Sequence, residues 1–138
     1  MNITLILRIT FGIAVIQYFV HALLFLRSKP RHGADEVAVI NAMKSNRWSF
    51  NGFYRSYWDF YYGYGVLAIL FGLVEIALLC MLMLTGEASL PLMKPIIGIL
   101  FFANFIHTIV TLRYFFLMPL IFDLIISFLL ALAWMQLF

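Results

Sequence analysis

The sequence predicts an all-α membrane protein, an antiparallel bundle of four transmembrane helices with a short interfacial helix in its first loop. Hydrophobic residues fill 65% of the 138 positions and charged ones only 11%. Ordinary globular domains carry roughly 25% charge, so this chain cannot present a soluble surface. Four segments reach the roughly 20 apolar residues that cross a hydrocarbon layer, at residues 2–26, 60–84, 95–117 and 119–138. The stretch between the first two, 27–59, is too short and too aromatic for a separate soluble domain. One membrane domain, residues 1–138, therefore accounts for the whole length.

The first span, MNITLILRITFGIAVIQYFVHALLFL, lacks a basic leader and a small-x-small cleavage site before Arg27, and reads as a retained helix. In loop 1, GADEVAVINAMKS carries acidic residues near its start, Lys44 near its end, and Val37, Ile40 and Met43 at three-residue spacing. That is the pattern of a short helix lying in the interface. The second span is entered through RSYWDFYYGYG, whose Gly63–Tyr64–Gly65 triplet is shared with potassium-selective filters. A filter needs a pore helix and then Thr-Val before the triplet, whereas Tyr61 and Tyr62 stand here and the triplet runs directly into a span. Gly63 and Gly65 are expected instead to let neighbouring backbones approach, with the tyrosines as interfacial anchors. Spans 3 and 4 are separated by RYFFLMP, where Pro119 disfavours helix in the residue before it and suits a first helical turn. They should form an antiparallel hairpin.

Six of the nine basic residues, Arg27, Lys29, Arg31, Lys44, Arg47 and Arg55, fall in loop 1, and Arg113 falls at the turn between spans 3 and 4. The opposite side has Lys94 and, inside span 1, Arg8. By the positive-inside rule, loop 1 and the 3–4 turn face the cytoplasm and both termini lie outside. The same clustering explains the net charge of +3 without nucleic acid as a partner. Trp48, Phe50, Phe53, Tyr54, Tyr57, Trp58, Tyr61, Tyr62 and Tyr64 crowd this boundary, as amphipathic rings do at headgroup depth.

A charge at the centre of a membrane helix costs at least about 2.5–3.5 kcal/mol, so Arg8, His21, Glu75, His107 and Asp123 demand an explanation. Gly65, Ala68, Gly72 and Glu75 recur on one face of span 2, a small-residue packing face ending in an acid. Asn104, His107, Thr108 and Thr111 form a polar stripe on span 3 that must face the bundle. Thr10, Gln17 and His21 share a face of span 1, and Asp123, Ser127 and Trp134 align on span 4. From depth, Arg8 and Glu75 are expected to pair in the outer half, and Asp123 to contact Arg113 or His21 in the inner half. Competing readings let Arg8 and Arg113 snorkel to the surface, make Asp123 a cap for span 4, and make His107 an interhelical hydrogen-bond partner. Glu75 has no lysine or arginine on its own segment, so it must be protonated, paired or facing a cavity. No metal site is expected: His21 and His107 lie on different spans without the i, i+3 Glu/His pairing of di-metal bundles, and Cys80 stands alone in an apolar run.

Three features carry a family likeness: Arg8-x-x-x-Gly12 in span 1, FGLVEIALLCMLMLTG with Gly72-x-x-Glu75 and a closing Gly86 in span 2, and a Pro95-led span 3 with a polar centre. Together they resemble the DoxX-like superfamily of small bacterial four-helix membrane proteins, or a related family marked by RSYWDFYYGYG and a longer, more aromatic loop 1. The resemblance implies a bacterial inner-membrane subunit of a quinone-linked complex, or a partner tying soluble redox enzymes to the membrane. It carries Arg8, Gly12, Gly72 and Glu75 over as bundle or pocket residues and supplies no catalytic ones. The leading expectation is a non-catalytic subunit or scaffold with a membrane-protein partner or a second copy of itself. The rival is a binding protein or enzyme for a quinone, sterol-like molecule or lipid, with Glu75, Asn104, His107 and Arg8 as the ligand-facing cluster.

Overall fold

Where water is absent every backbone N–H and C=O must be bonded internally, so apolar runs of this length become helices. The computed structural model describes residues 2–27, 29–30, 33–84 and 90–138. In order, these form α1 (Ile3–Leu26), α2 (Ala34–Ser45), the strands β1 (Arg47–Phe50) and β2 (Phe53–Ser56), α3 (Tyr57–Leu84), α4 (Leu90–Tyr114) and α5 (Leu117–Met135). Four of the helices, α1, α3, α4 and α5, are long and apolar enough to cross a membrane. Arg31 and Gly86 lie outside the described residues.

Three boundaries differ from expectation. The third span begins at Leu90, so Pro95 lies inside α4. As the sixth residue of α4 it lies just past the free N–H groups of the first turn, so one backbone bond, to the carbonyl of residue 91, is forgone. Between α4 and α5 the break falls at Phe115 and Phe116, with Phe116 extended (φ −105°, ψ 173°), rather than at the residue before Pro119. Pro119 is accommodated in the first turn of α5, where its N–H would be unbonded anyway. The second span starts at Tyr57, which places the Gly63–Gly65 triplet within α3 and not in a re-entrant loop.

The chain divides into two compact units, Met1–Val20 with Gly72–Phe138, and His21–Phe71. In the first, Ile6, Leu7 and Ala14 of α1, Leu79 and Leu82 of α3, Met93, Ile97 and Leu100 of α4, and Ile126, Leu129, Leu130 and Ala133 of α5 form one core. On α5 the buried positions Asp123, Ile126, Ser127, Leu130 and Ala133 follow helical spacing, so one stripe carries both the apolar core and the polar groups. α4 and α5 are antiparallel neighbours: Thr108 meets Ser127 and, farther from the turn, Phe101 stacks on Trp134 with ring centres 6.0 Å apart.

The second unit holds an element that sequence reasoning missed. RWSFNGFYRS closes into a β-hairpin with Arg47 opposite Ser56, Trp48 opposite Arg55, Ser49 opposite Tyr54, and Phe50 opposite Phe53. Its turn residues are Asn51 (φ 48°) and Gly52 (φ 83°). Two central residues with positive φ match the twist of paired strands, and Asn-Gly is the sequence signal for this turn. β2 passes directly into α3 through a reciprocal cap. The Ser56 N–H donates to Asp59 Oδ2 at 2.8 Å, and the Asp59 N–H donates to Ser56 Oγ at 3.2 Å. Trp48 stacks on Phe60 and meets Tyr57 at a tilt, while Lys44 of α2 lies 4.7 Å from the Trp58 ring.

The expected loop helix is present as α2, with Asp35 and Glu36 in its first turn and Lys44 in its last, matching its dipole. Ile40 and Met43 are half-buried, but Val37 is exposed, so the anticipated apolar face is only partly realised. Of the two triplet glycines, Gly65 receives the Phe25 ring where a Cβ would otherwise stand, and Gly63 has open space there. The close approach is therefore side chain to backbone. Replacing Gly52 with valine should cost the hairpin about 1–2 kcal/mol, because a β-branched residue is strained at positive φ. Hydrogen exchange should show faster exchange at strand amides 47–50 and 53–56, with the core amides of the first unit unchanged.

Candidate functional site

The polar residues of the first unit assemble into two adjoining networks. Glu75, with 9% of its surface exposed, accepts a hydrogen bond from the Tyr18 hydroxyl at Oε2 (2.5 Å) and one from Asn104 Nδ2 at Oε1 (2.7 Å). Three helices, α1, α3 and α4, are thus fastened through one carboxylate. Gly72, one turn before Glu75, makes the first bond possible. A Cβ at Gly72 would fall on the Tyr18 ring, so the bare backbone is the slot in which that ring lies with its hydroxyl beside the acid. The Gly72-x-x-Glu75 spacing therefore places slot and acceptor on one face of α3.

The second network centres on Asp123, which is fully buried. Its Oδ1 accepts from Gln17 Nε2 at 2.5 Å and lies 3.3 Å from His107 Nδ1. α1, α4 and α5 meet here. Among the described residues, Asp123 Oδ2 and Gln17 Oε1 have no hydrogen-bond partner. Between the networks, Thr108 donates to the Asn104 carbonyl at 2.8 Å and lies 3.0 Å from the Ser127 hydroxyl. Asn104 also donates to the Leu100 carbonyl at 3.0 Å, which orients its amide toward Glu75.

The structure brings Glu75 and Asn104 into direct contact, and His107 and Asp123 likewise, but it separates the other expected partners. Arg8 does not reach Glu75. The acid bonds to Tyr18, ten residues further along α1, about 15 Å up the axis. Arg8 is exposed and makes no ion pair among the described residues, in keeping with the snorkelling reading. Arg113 is also exposed, with its guanidinium 6.0 Å from the Tyr114 ring, and is not an Asp123 partner. His21 stacks on Phe25 within the second unit. Asp123 lies inside α5 rather than at its first turn, and the residue capping α5 is Phe116.

Of the polar stripe on α4, Asn104, Thr108 and Thr111 are buried, whereas the His107 side chain is 48% exposed. Ala68, expected on the packing face of α3, is exposed, and that face instead continues as Leu79 and Leu82. Cys80 is a free, half-buried thiol, and no group of three or more His, Cys, Asp or Glu side chains able to hold a metal occurs among the described residues. A surface depression of about 470 Å³ is lined by Ile3, Pro91, Lys94, Gln136, Leu137 and Phe138, and includes none of the candidate residues.

Sequence reasoning missed Tyr18 and did not pair Gln17 with Asp123. Gln17 stood out as the amide of an apolar span, whereas Tyr18 looked like any aromatic residue in a membrane helix. Replacing Asn104 with leucine should cost about 1–2 kcal/mol, since Glu75 Oε1 then loses its donor in a buried place. Thermal unfolding in mild detergent checks this, with Asn104→Gln expected to recover part of the loss.

The architecture and site define a multi-pass helical membrane protein with a buried polar girdle. The chain matches no protein-family model, no curated protein and no solved structure.

Proposed function

We propose that this protein is a non-catalytic integral membrane subunit or scaffold of a larger membrane complex. The observation that carries this reading is the use of Glu75: both oxygens of its carboxylate serve to hold α1 and α4 against α3. An acid so engaged is a fastening and not a free base. The exposed surface of the spanning helices is also rich in large apolar groups, including Phe19, Phe71, Ile99, Phe102, Ile106, Leu112 and Phe128. Such a surface suits lipid or another membrane protein equally. The basic loop and the Arg113 turn support an orientation with both facing the cytoplasm and the termini outside. A bacterial inner membrane, a DoxX-like relationship and a quinone-linked complex accord with the sequence likeness described above.

Gentle extraction from the native membrane followed by native mass spectrometry tests this. A protein partner, or a second copy, retained in both wild type and Glu75→Gln is the expected result. A lone monomer without partners would overturn the reading.

A second reading, a binding protein for a lipophilic molecule, is favoured by one observation: His107 is half-exposed although its ring is tied to a buried acid. Arg8 has no place in that cluster. A copurifying lipophile that vanishes in Glu75→Gln would put the ligand beside Glu75 and Asn104, and its presence in neither form would count against this reading.

A further inference from the structure

His107 lies on α4 seven residues before Tyr114, about 10 Å from the end of the helix. It is therefore within the span, where the surrounding solvent offers no hydrogen-bond acceptor. Its Nδ1 is held 3.3 Å from Asp123 Oδ1, which fixes the ring, and 48% of the side chain remains exposed. Asp123 is fully buried, and its partners among the described residues are the neutral side chains of Gln17 and Thr111, and His107. The histidine is thus the group able to neutralise the acid.

A net charge within the span is unfavourable, so the pair is held neutral overall. Two proton arrangements meet that condition: an imidazolium beside a carboxylate, or a neutral imidazole beside a carboxylic acid. In the imidazolium form, and in the neutral form in which the acid O–H donates to Nδ1, Nε2 carries a hydrogen. That N–H has no hydrogen-bond partner among the described residues, and leaving it bare in hydrocarbon is unfavourable. The nearby exposed residues of α4, Ile106 and Val110, are apolar. A neighbouring membrane helix would not satisfy it through its backbone, because helical carbonyls are already bonded within their own segment.

From this geometry we infer that the His107–Asp123 pair is a hydrogen-bond donor site for the carbonyl oxygen of a molecule dissolved in the bilayer, with an apolar body that lies against α4. Quinones and the acyl esters of lipids are the two sources of that chemistry. The inference rests on the second reading above and names its ligand class and donor atom, while moving the site from Glu75 to His107.

The test uses full-length protein with ¹⁵N-labelled histidine in nanodiscs of ether-linked phospholipid, which has no carbonyl. The His107 signals are assigned by their absence in His107→Gln. Titration with a decyl-substituted benzoquinone should shift the His107 Nε2 resonance saturably, and Asp123→Asn should weaken that binding by about tenfold, the value of one charge-assisted hydrogen bond. If Asp123→Asn does not fold, competition serves in its place: wild type already loaded with a non-quinone ketone should require more benzoquinone. A shift on changing from ether to ester lipid, without response to benzoquinone, would identify the lipid ester as the source. No response to either carbonyl, or a response only to an added membrane-protein partner, overturns the inference. In that case a lipophile still lost in Glu75→Gln would leave the broader ligand-binding reading standing.

Discussion

Asp123→Leu is expected to destabilise the first unit by about 2–4 kcal/mol, the largest loss of any single polar substitution in the chain. Asp123 is fully buried and is the acceptor for Gln17 Nε2, as well as the anchor for His107 Nδ1. Leucine fills much of the space but leaves the buried Gln17 amide with no partner at either end among the described residues, because its Oε1 has none there to begin with. The penalty therefore comes from groups left behind, not from volume. Asp123→Asn, which keeps an acceptor at the same place, should cost about 1 kcal/mol. Thermal unfolding in detergent separates the two. Equal losses would mean that the Gln17–Asp123 contact contributes little. The double variant Gln17→Leu, Asp123→Leu should recover part of the leucine penalty, since both unpaired groups are then replaced by hydrocarbon.

Gly72→Ala should be nearly as damaging, at about 2–3 kcal/mol, although it adds one methyl group. That methyl would occupy the position of the Tyr18 ring, and moving the ring carries its hydroxyl away from Glu75 Oε2. Packing and hydrogen bond are lost together. The distinctive result is a double-mutant cycle. Tyr18→Phe should cost about 1–2 kcal/mol in the parent protein and almost nothing in the Gly72→Ala background, where the bond has already gone. Additive losses would show that Gly72 and Tyr18 act separately. Half-buried Gly12, where a Cβ meets nothing within 4 Å, serves as the control and should tolerate alanine.

These two sites show how far the sequence could be read. The identity of the residues requiring partners was legible, because a charge in hydrocarbon is costly whatever its neighbours. Glu75, His107 and Asp123 stand out on that ground and Asn104 as part of a polar stripe, and each takes part in a polar contact across helices, whereas Arg8, which stands out equally, is exposed. Their partners were not legible from depth. Rise per residue and alternating helix direction set Arg8 near the level of Glu75 in the outer half. The acid meets Tyr18, ten residues or about 15 Å beyond Arg8 on α1, so the axial offset of α1 against α3 is larger than matching their ends allows. The hairpin differs in kind: Asn51-Gly52 is a local turn signal present in the sequence, masked by the aromatic, interface-like composition of the segments around it.

By itself, then, the sequence determined that this chain is a multi-pass helical membrane protein, where its four spans lie to within a few residues, and which polar groups must be hidden. Each follows from composition and periodicity, which act locally and against a solvent that tolerates few alternatives. Only the tertiary structure decided that Tyr18 occupies the Gly72 slot to bond Glu75, that Gln17 and His107 share Asp123, and that His107 alone of the α4 polar stripe is left half-exposed. Those choices depend on the rotation and axial offset of each helix against its neighbours. They are set by side-chain packing at the contacts, which no single segment encodes.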